Sequence, residues 1–287
     1  MLSSNIEIAM KVTKTKLKIS TYNMQFSQDR KTLLQNINYL ANKNVDIFCL
    51  QEVTRYPKQP FVINEIIRLL GTNWKAVVNI GPEKSPEGMG NAILWNNNKL
   101  FFKGKKNILL PKREKLALHE WLFAKMTGGN TTPWQRRTVV VDLRIDNIPI
   151  RVINAHLDHI GGIKHRQKQF LSILESLKKL KSCTKEIICG DFNTIDLLNS
   201  GHEIQELTKI LCRNNYIDAS NKIAWTADLR NMDFANNTLA KKFIENFDIH
   251  IKRKLDFIWV KKLNINKCQK LDLDGSDHCP IFAELTL

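Results

Sequence analysis

A chain of 287 residues, 43% apolar and 25% charged with only 12 Gly and 8 Pro, can bury a core without metal or disulfide staples, and its composition excludes disordered, collagen-like and low-complexity classes. No apolar run approaches the roughly 20 residues that a membrane-spanning helix requires. The 44 Lys and Arg against 28 Asp and Glu leave 44 − 28 = +16, a balance that suits a polyanionic partner and that lysine-rich coding bias also produces.

The opening MLSSNIEIAMKVTKTKLK holds no apolar segment of a secretory signal. Residues 1–15 read as an extension and 16–287 as one domain, since no Pro-, Gly- or Ser-rich linker divides the chain. LKISTYN reads as a strand, followed over 29–43 by a helix with Leu33, Leu34, Ile37, Leu40 and Ala41 on one stripe. After the strand VDIFCLQEV comes a weaker helix at 61–70. WKAVVNI, GNAILWN, WLFAKMT, TVVVDLRI and PIRVINAHLDH then form a run of strands. A helix over 163–181 places Phe170, Ile173, Leu174 and Leu177 on one face. EIICGDFN, a weaker helix at 203–213, KLDFIWV and CPIFAELTL complete a mixed α and β order. Segments 80–90 and 127–136, rich in Gly, Pro, Thr and Asn, read as loops. The runs KVTKTKLK, KGKK and IKRK read as solvated faces. Six cysteines at 49, 183, 189, 212, 268 and 279 show no C-x-x-C spacing, which predicts free thiols in a reducing, cytoplasmic setting.

Polar residues gather where the strands end: Asn23, Gln51 and Glu52, His156 and Asp158, Asp191 and Asn193, Asp256, and Asp277 with His278. Any one alone is an ordinary turn former or cap. Together, on one rim of a sheet scaffold, they supply hard oxygen ligands for Mg²⁺ and imidazoles and amides for phosphate oxygens.

STYNM with Asn23, LQEV with Glu52, GNAIL with Asn91, NAHLDH with His156, GDFNT with Asp191 and Asn193, LDFIWV with Asp256, and SDHCPI with Asp277 and His278 appear in this order. In that order the chain resembles the endonuclease/exonuclease/phosphatase superfamily nearly end to end. The resemblance implies a four-layer α/β sandwich, two packed mixed sheets flanked by helices. It implies a divalent cation, Mg²⁺ or Mn²⁺, seated on Glu52 with Asn23 and completed by Asp277. It implies His278 oriented by Asp256, and Asp191 or His278 as the water activator, two options that the sequence leaves open. Asn193 would bond a phosphate oxygen, and His156 would contact the scissile phosphate or the leaving oxygen. Arg137 would present a guanidinium to phosphate, with Arg136 as its rival, and Asn91 would orient His156 or touch the phosphate. Arg166 and Gln169 in HRQKQF read as helix anchors, and Trp225 beside Thr226 as a core residue.

Two absences restrict the subfamily. The inositol phosphatase variants of the GDFN and LDF motifs are missing, and so is the disulfide pattern of the secreted deoxyribonucleases. The function expected is that of a metal-dependent phosphodiester hydrolase, an endonuclease acting on DNA as a monomer. The alternative is a lipid or small-molecule phosphodiesterase or phosphatase, and a non-catalytic binding protein on the same fold is the remoter one.

Overall fold

The computed structural model describes residues 15–56, 59–81, 88–114, 116, 118, 121, 135–196, 201–228 and 251–287. One six-stranded sheet is built from β1 (Lys16–Asn23), β2 (Ile47–Arg55), β3 (Trp74–Ile80), β4 (Gly88–Asn96), β13 (Asn264–Lys270) and β14 (Ile281–Thr286), in the order β13-β14-β1-β2-β4-β3. The other runs β5-β6-β7-β8-β12-β9, from β5 (Phe101–Leu109), β6 (Arg137–Ile145), β7 (Ile148–His156), β8 (Lys185–Asp191), β9 (Ile217–Asp218) and β12 (Asp256–Lys261). A two-residue pair, β10 (Ala227–Asp228) with β11 (Lys252–Arg253), stands apart.

Each sheet contains one parallel pair, β1 with β2 and β7 with β8, and the remaining pairs are antiparallel. A parallel pair needs a crossover. It is supplied by α1 (Arg30–Asn42), capped by the Asp29 carboxylate accepting from the Thr32 N–H, and by α3 (Gly162–Lys178). The helices α2 (Val62–Leu70) and α4 (His202–Arg213) lie beside them.

The strands that read as continuous apolar runs do so because both of their faces are covered. In β2, Ile47 and Cys49 join the core between the sheets, while Phe48 and Leu50 pack under Leu33, Ile37, Leu40, Val62 and Ile66 of α1 and α2. In β8 and β12, Ile187, Cys189, Ile258 and Val260 point to the inter-sheet core. Ile188, Phe257 and Trp259 face Phe170, Ile173, Leu174, Leu207 and Leu211 of α3 and α4. The period of 2 in the strands and 3.6 in the helices thus yields helix, sheet, sheet, helix, the four-layer sandwich that the motifs implied.

The structure corrects the sequence expectations at the sheet edges, where β5 and β13 were not anticipated. Both are lysine-bearing edge strands, FFKGKKNIL and NINKCQK, mostly exposed and without clean alternation, a composition that protects sheet edges. KGKK is therefore the middle of a strand. Of WLFAKMT, residues 122–127 lie outside the described residues, as do 1–14 of the anticipated extension and 82–87 and 127–134 of the anticipated loops.

Gly190, in the GDFN motif, has φ of +131°, and a Cβ there would fall 1.9 Å from the Ala155 carbonyl oxygen. Gly190→Ala should therefore lose roughly 1–3 kcal/mol to backbone strain alone, with more from parting β7 and β8. Equilibrium urea unfolding checks this, and unchanged stability would contradict it.

Candidate active site

The site is the rim where the two sheets end together. Strand register builds it: in one sheet Asn23 of β1 lies opposite Gln51 of β2, next to Glu52. In the other, His156 of β7, Asp191 of β8 and Asp256 of β12 are successive partners across three neighbouring strands. Because β14 runs antiparallel to β1 with Ile281 opposite Thr21, Asp277 and His278 arrive beside Asn23. An isolated bridge between Ala227 and His278 holds them from the other side.

Glu52 is the extra residue of a bulge between Leu50 and Val53, and its φ of 55° lies in the left-handed region that glutamate visits rarely. Gln25, Phe26 and Ser27 are also left-handed, which turns the Phe26 N–H onto Glu52 Oε2 at 3.1 Å. Strain of this kind persists only where surrounding contacts enforce it, and here it aims a carboxylate into the cleft. Asn193, with φ of 50°, takes a left-handed conformation that asparagine adopts readily.

Three donors converge on one oxygen. Asn23 Nδ2 donates to Asp191 Oδ2 at 3.0 Å and reaches Glu52 Oε1 at 3.3 Å. The Nε2 atoms of His156 and His278 stand 3.5 and 3.8 Å from the same Asp191 oxygen, and His156 Nε2 is also 3.8 Å from Glu52. His278 Nδ1 lies 2.7 Å from Asp256 Oδ2. The backbone N–H of Asn193 donates to Asp191 Oδ1 at 2.8 Å, and its side-chain amide is bound to the Leu157 carbonyl at 2.9 Å. Asp277 is fixed by its N–H on Gln25 Oε1 at 3.0 Å.

The electrostatics follow from burying four carboxylates together. Burial pushes Asp191 and Asp277 up to about 6, with Asp256 raising Asp191 further and Glu52 raising Asp277. Burial likewise raises Glu52, opposed by Arg136 and His278. Burial pulls His278 down, but Asp256, Asp277 and Asp191 together override it and hold this imidazole well above its ordinary value. His156 is driven the other way by burial, Arg136 and His278.

This donor set fits a divalent cation. Three of its acids are raised by burial beside one another, Asp256 Oδ1 is buried without a partner, and the Asn23 amide sits between two carboxylates. Asp191, Asp256 and His278 also offer ligand atoms within 4.8 Å of one another.

The other residues singled out in the sequence fall elsewhere. Asn91 does not serve His156: its amide donates to the Arg137 carbonyl at 2.8 Å, while Arg137 Nη1 reaches Asn79 Oδ1 at 3.3 Å, so this group ties the rims of the two sheets. The arginine on His156 is Arg136, whose Nη1 is 3.3 Å from Nδ1. Gln51 points between the sheets, bonding Thr21 and Asn154, and Asn154 in turn donates to the carbonyls of Leu50 and Ala92. Trp225 is no core residue: half-buried, it lies under Lys252 at 4.5 Å and Lys270 at 3.2 Å. Its neighbour Thr226 accepts from the N–H groups of Leu255 and Asp256 and so positions the start of β12. Arg166 and Gln169 do anchor α3, both bonding Asp158. Unanticipated were His165, on the same helical face one turn before Gln169, and Glu203, which pairs with Arg166.

Two mixed sheets with flanking helices and an acid and imidazole rim define the deoxyribonuclease I-like fold of phosphoester hydrolases. The sequence model of the endonuclease/exonuclease/phosphatase family matches residues 20–278, and the chain belongs to that family. Its members hydrolyse phosphoester bonds and are generally divalent-metal dependent. Compared by sequence with curated proteins, the chain matches none. Among solved structures it is similar to an endonuclease/exonuclease/phosphatase from Bacteroides vulgatus, 19% identical over 96% of this chain and 100% of that one, TM-score 0.67. It is similar also to D. rerio TDP2 complexed with single strand DNA product, 16% identical over 95% and 100%, TM-score 0.66. A third is the Bacteroides thetaiotaomicron mannosyl-6-phosphatase, 16% identical over 94% and 100%, TM-score 0.62. At these identities the likeness is one of fold. No helix among the described residues is long and apolar enough to cross a membrane.

Proposed function

We propose that the chain is a divalent-metal-dependent phosphodiester hydrolase acting on DNA as a nuclease. The observation that carries this reading is the convergence of Asn23, His156 and His278 on Asp191, with Glu52 on the far side of the Asn23 amide. Glu52, with Asn23 and Asp277, would hold Mg²⁺ or Mn²⁺, and the bound ion supplies Lewis-acid neutralisation of phosphate charge. Asp191, raised towards working pH, accepts the proton of the attacking water as its oxygen bonds phosphorus, while the bond to the leaving oxygen breaks and that oxygen takes a proton from solvent. The backbone N–H of Asn193 fixes the direction of that carboxylate. His278, kept charged by Asp256, clamps a phosphate oxygen, and His156 presents Nε2 to the same space.

DNA is favoured over a smaller phosphoester by the +16 charge and by Lys252 and Lys270 gathered at Trp225, one residue from the Thr226 that positions Asp256. The second reading is a lipid or small-molecule phosphodiesterase or phosphatase. It keeps the same chemistry, and the likeness to a protein named mannosyl-6-phosphatase favours it. The two separate on salt dependence. Duplex binding by an Asp191→Asn, His278→Ala protein should fall about tenfold or more between roughly 50 and 200 mM salt, through release of counterions from a few contacted phosphates. Absence of duplex and single-strand binding at the low end would move the assignment to the second reading.

A further inference from the structure

The HRQKQF segment of α3 and the second half of NAHLDH are not used by the chemistry above, yet they form a continuous buried network that ends on His156. Asp158 is its centre. Its Oδ2 receives His165 Nε2 at 2.8 Å and Gln169 Nε2 at 3.0 Å, and its backbone N–H donates to Gln169 Oε1 at 2.9 Å. His165 and Gln169 are four residues apart and so share one helical face. Arg166 on the next position donates to the Asp158 and His159 carbonyls and pairs with Glu203 of α4, which ties the segment to both outer helices. The remaining Asp158 oxygen, Oδ1, accepts from Arg136 Nε at 3.1 Å. Arg136, 8% exposed, then extends Nη1 to His156 Nδ1 at 3.3 Å and Nη2 to His159 Nδ1 at 3.4 Å.

A guanidinium has donors and no acceptor. The ring nitrogen that faces Arg136 must therefore be bare, and the proton of His156 must sit on Nε2, the atom that looks toward Asp191 and Glu52. We propose that Arg136 is a positioning residue that locks His156 as its Nε2–H tautomer, with Asp158, His165 and Gln169 fixing the guanidinium. His156 then serves the reaction as a hydrogen-bond donor to a phosphate oxygen and not as a proton acceptor. A carboxylate at the position of Arg136 would impose the opposite tautomer, with the proton on Nδ1. Arg136 thus does for His156 the reverse of what Asp256 does for His278, whose Nδ1 lies 2.7 Å from a carboxylate. The two imidazoles of one site are set to different tasks by the second partner of each ring.

The tautomer is an intrinsic property of the folded chain, whereas its use in catalysis rests on the hydrolase reading above. Imidazole ¹⁵N NMR of the full-length protein tests the first part without substrate. Nδ1 of His156 should show the shift of an unprotonated, pyridine-like nitrogen, and Nε2 that of a protonated one. A proton on Nδ1 would overturn the proposal. In Arg136→Met the two nitrogens should lose this distinction. Asp158→Asn, which keeps the shape of the network, should shift them in the same direction if Arg136→Met fails to fold. With bis(p-nitrophenyl) phosphate as the probe, Arg136→Met should lose roughly 10- to 100-fold in kcat with KM little changed. An unchanged His156 spectrum in the folded variant, or a loss confined to KM, would make Arg136 a plain structural or phosphate-binding residue. If the wild type hydrolyses nothing, the hydrolase reading fails while the NMR result still decides the tautomer.

Discussion

Asp191→Asn is expected to lose on the order of 10² to 10⁴ in turnover, the scale of a positioned proton acceptor, while folding as well as the wild type or better. The substitution keeps shape, and the Asn193 N–H retains an oxygen to bond. It removes the one group on which Asn23, His156 and His278 converge. The pH profile gives a sharper reading. Asp191 acts only when deprotonated, and burial has raised it to about 6, so the metal-free enzyme's capacity to accept a proton grows as pH rises through that value. His278 acts as a charged clamp and is held well above its ordinary range, so activity declines only on the alkaline side. Asp191→Asn should flatten the acid limb, wherever bound metal moves it from the metal-free position, and leave the alkaline one in place, as measured by rate against pH from 5 to 9 at saturating metal. Survival of the acid limb would assign the base elsewhere.

Glu52→Ala is expected to abolish metal-dependent hydrolysis and at the same time to stabilise the metal-free protein at neutral pH. Asp191 and Asp277 have folded values of about 6 against 3.8 for the free side chain. The folded state therefore holds more protons than the unfolded state between these values, and stability falls as pH rises through the window, by a few kcal/mol in total. Glu52 adds to this repulsion on Asp277 and Asp191, and removing it relieves part of the cost. Added Mg²⁺ should restore stability of the wild type at pH 7.5, by roughly 2–4 °C in Tm per kcal/mol for a chain of this size. At pH 5, with Asp191 and Asp277 largely protonated, it should do far less. In Glu52→Ala the Mg²⁺ response at pH 7.5 should shrink or vanish. Thermal unfolding with and without Mg²⁺ measures all of this, and an equal Mg²⁺ response in wild type and variant would remove Glu52 from the metal seat.

The legible parts of the chain are those where one physical requirement acts alone. The strands of VDIFCL and EIIC were visible because burial on both faces leaves no place for a polar residue, and the helix of residues 30–42 because its apolar residues fall on one narrow stripe. The strands of residues 101–109 and 264–270 were not, since a sheet edge selects lysine and exposure over alternation. In the site, motif residues lying at strand ends were readable individually, but their partnerships were not. Arg136 and Arg137 are adjacent and identical in type, and only the alternation of side chains along the start of β6 sends one to His156 and the other to Asn79. Gln51 points between the sheets by plain alternation after Ile47 and Cys49, whereas the bulge that follows redirects its neighbour Glu52 into the cleft. Asn91 was illegible for a related reason, its target being a backbone carbonyl on the opposite sheet. Such contacts join residues 20 to 103 positions apart, and they depend on sheet packing that no local pattern carries.

The central claim is that this rim hydrolyses phosphoesters with a divalent cation, whatever polymer or lipid bears them. Release of p-nitrophenol from bis(p-nitrophenyl) phosphate, which needs no recognition of a particular substrate, tests it directly. The expected result is turnover in Mg²⁺ or Mn²⁺ that EDTA abolishes and that Asp191→Asn and Glu52→Ala each remove. Turnover that persists in EDTA, or that both variants retain, would contradict the account.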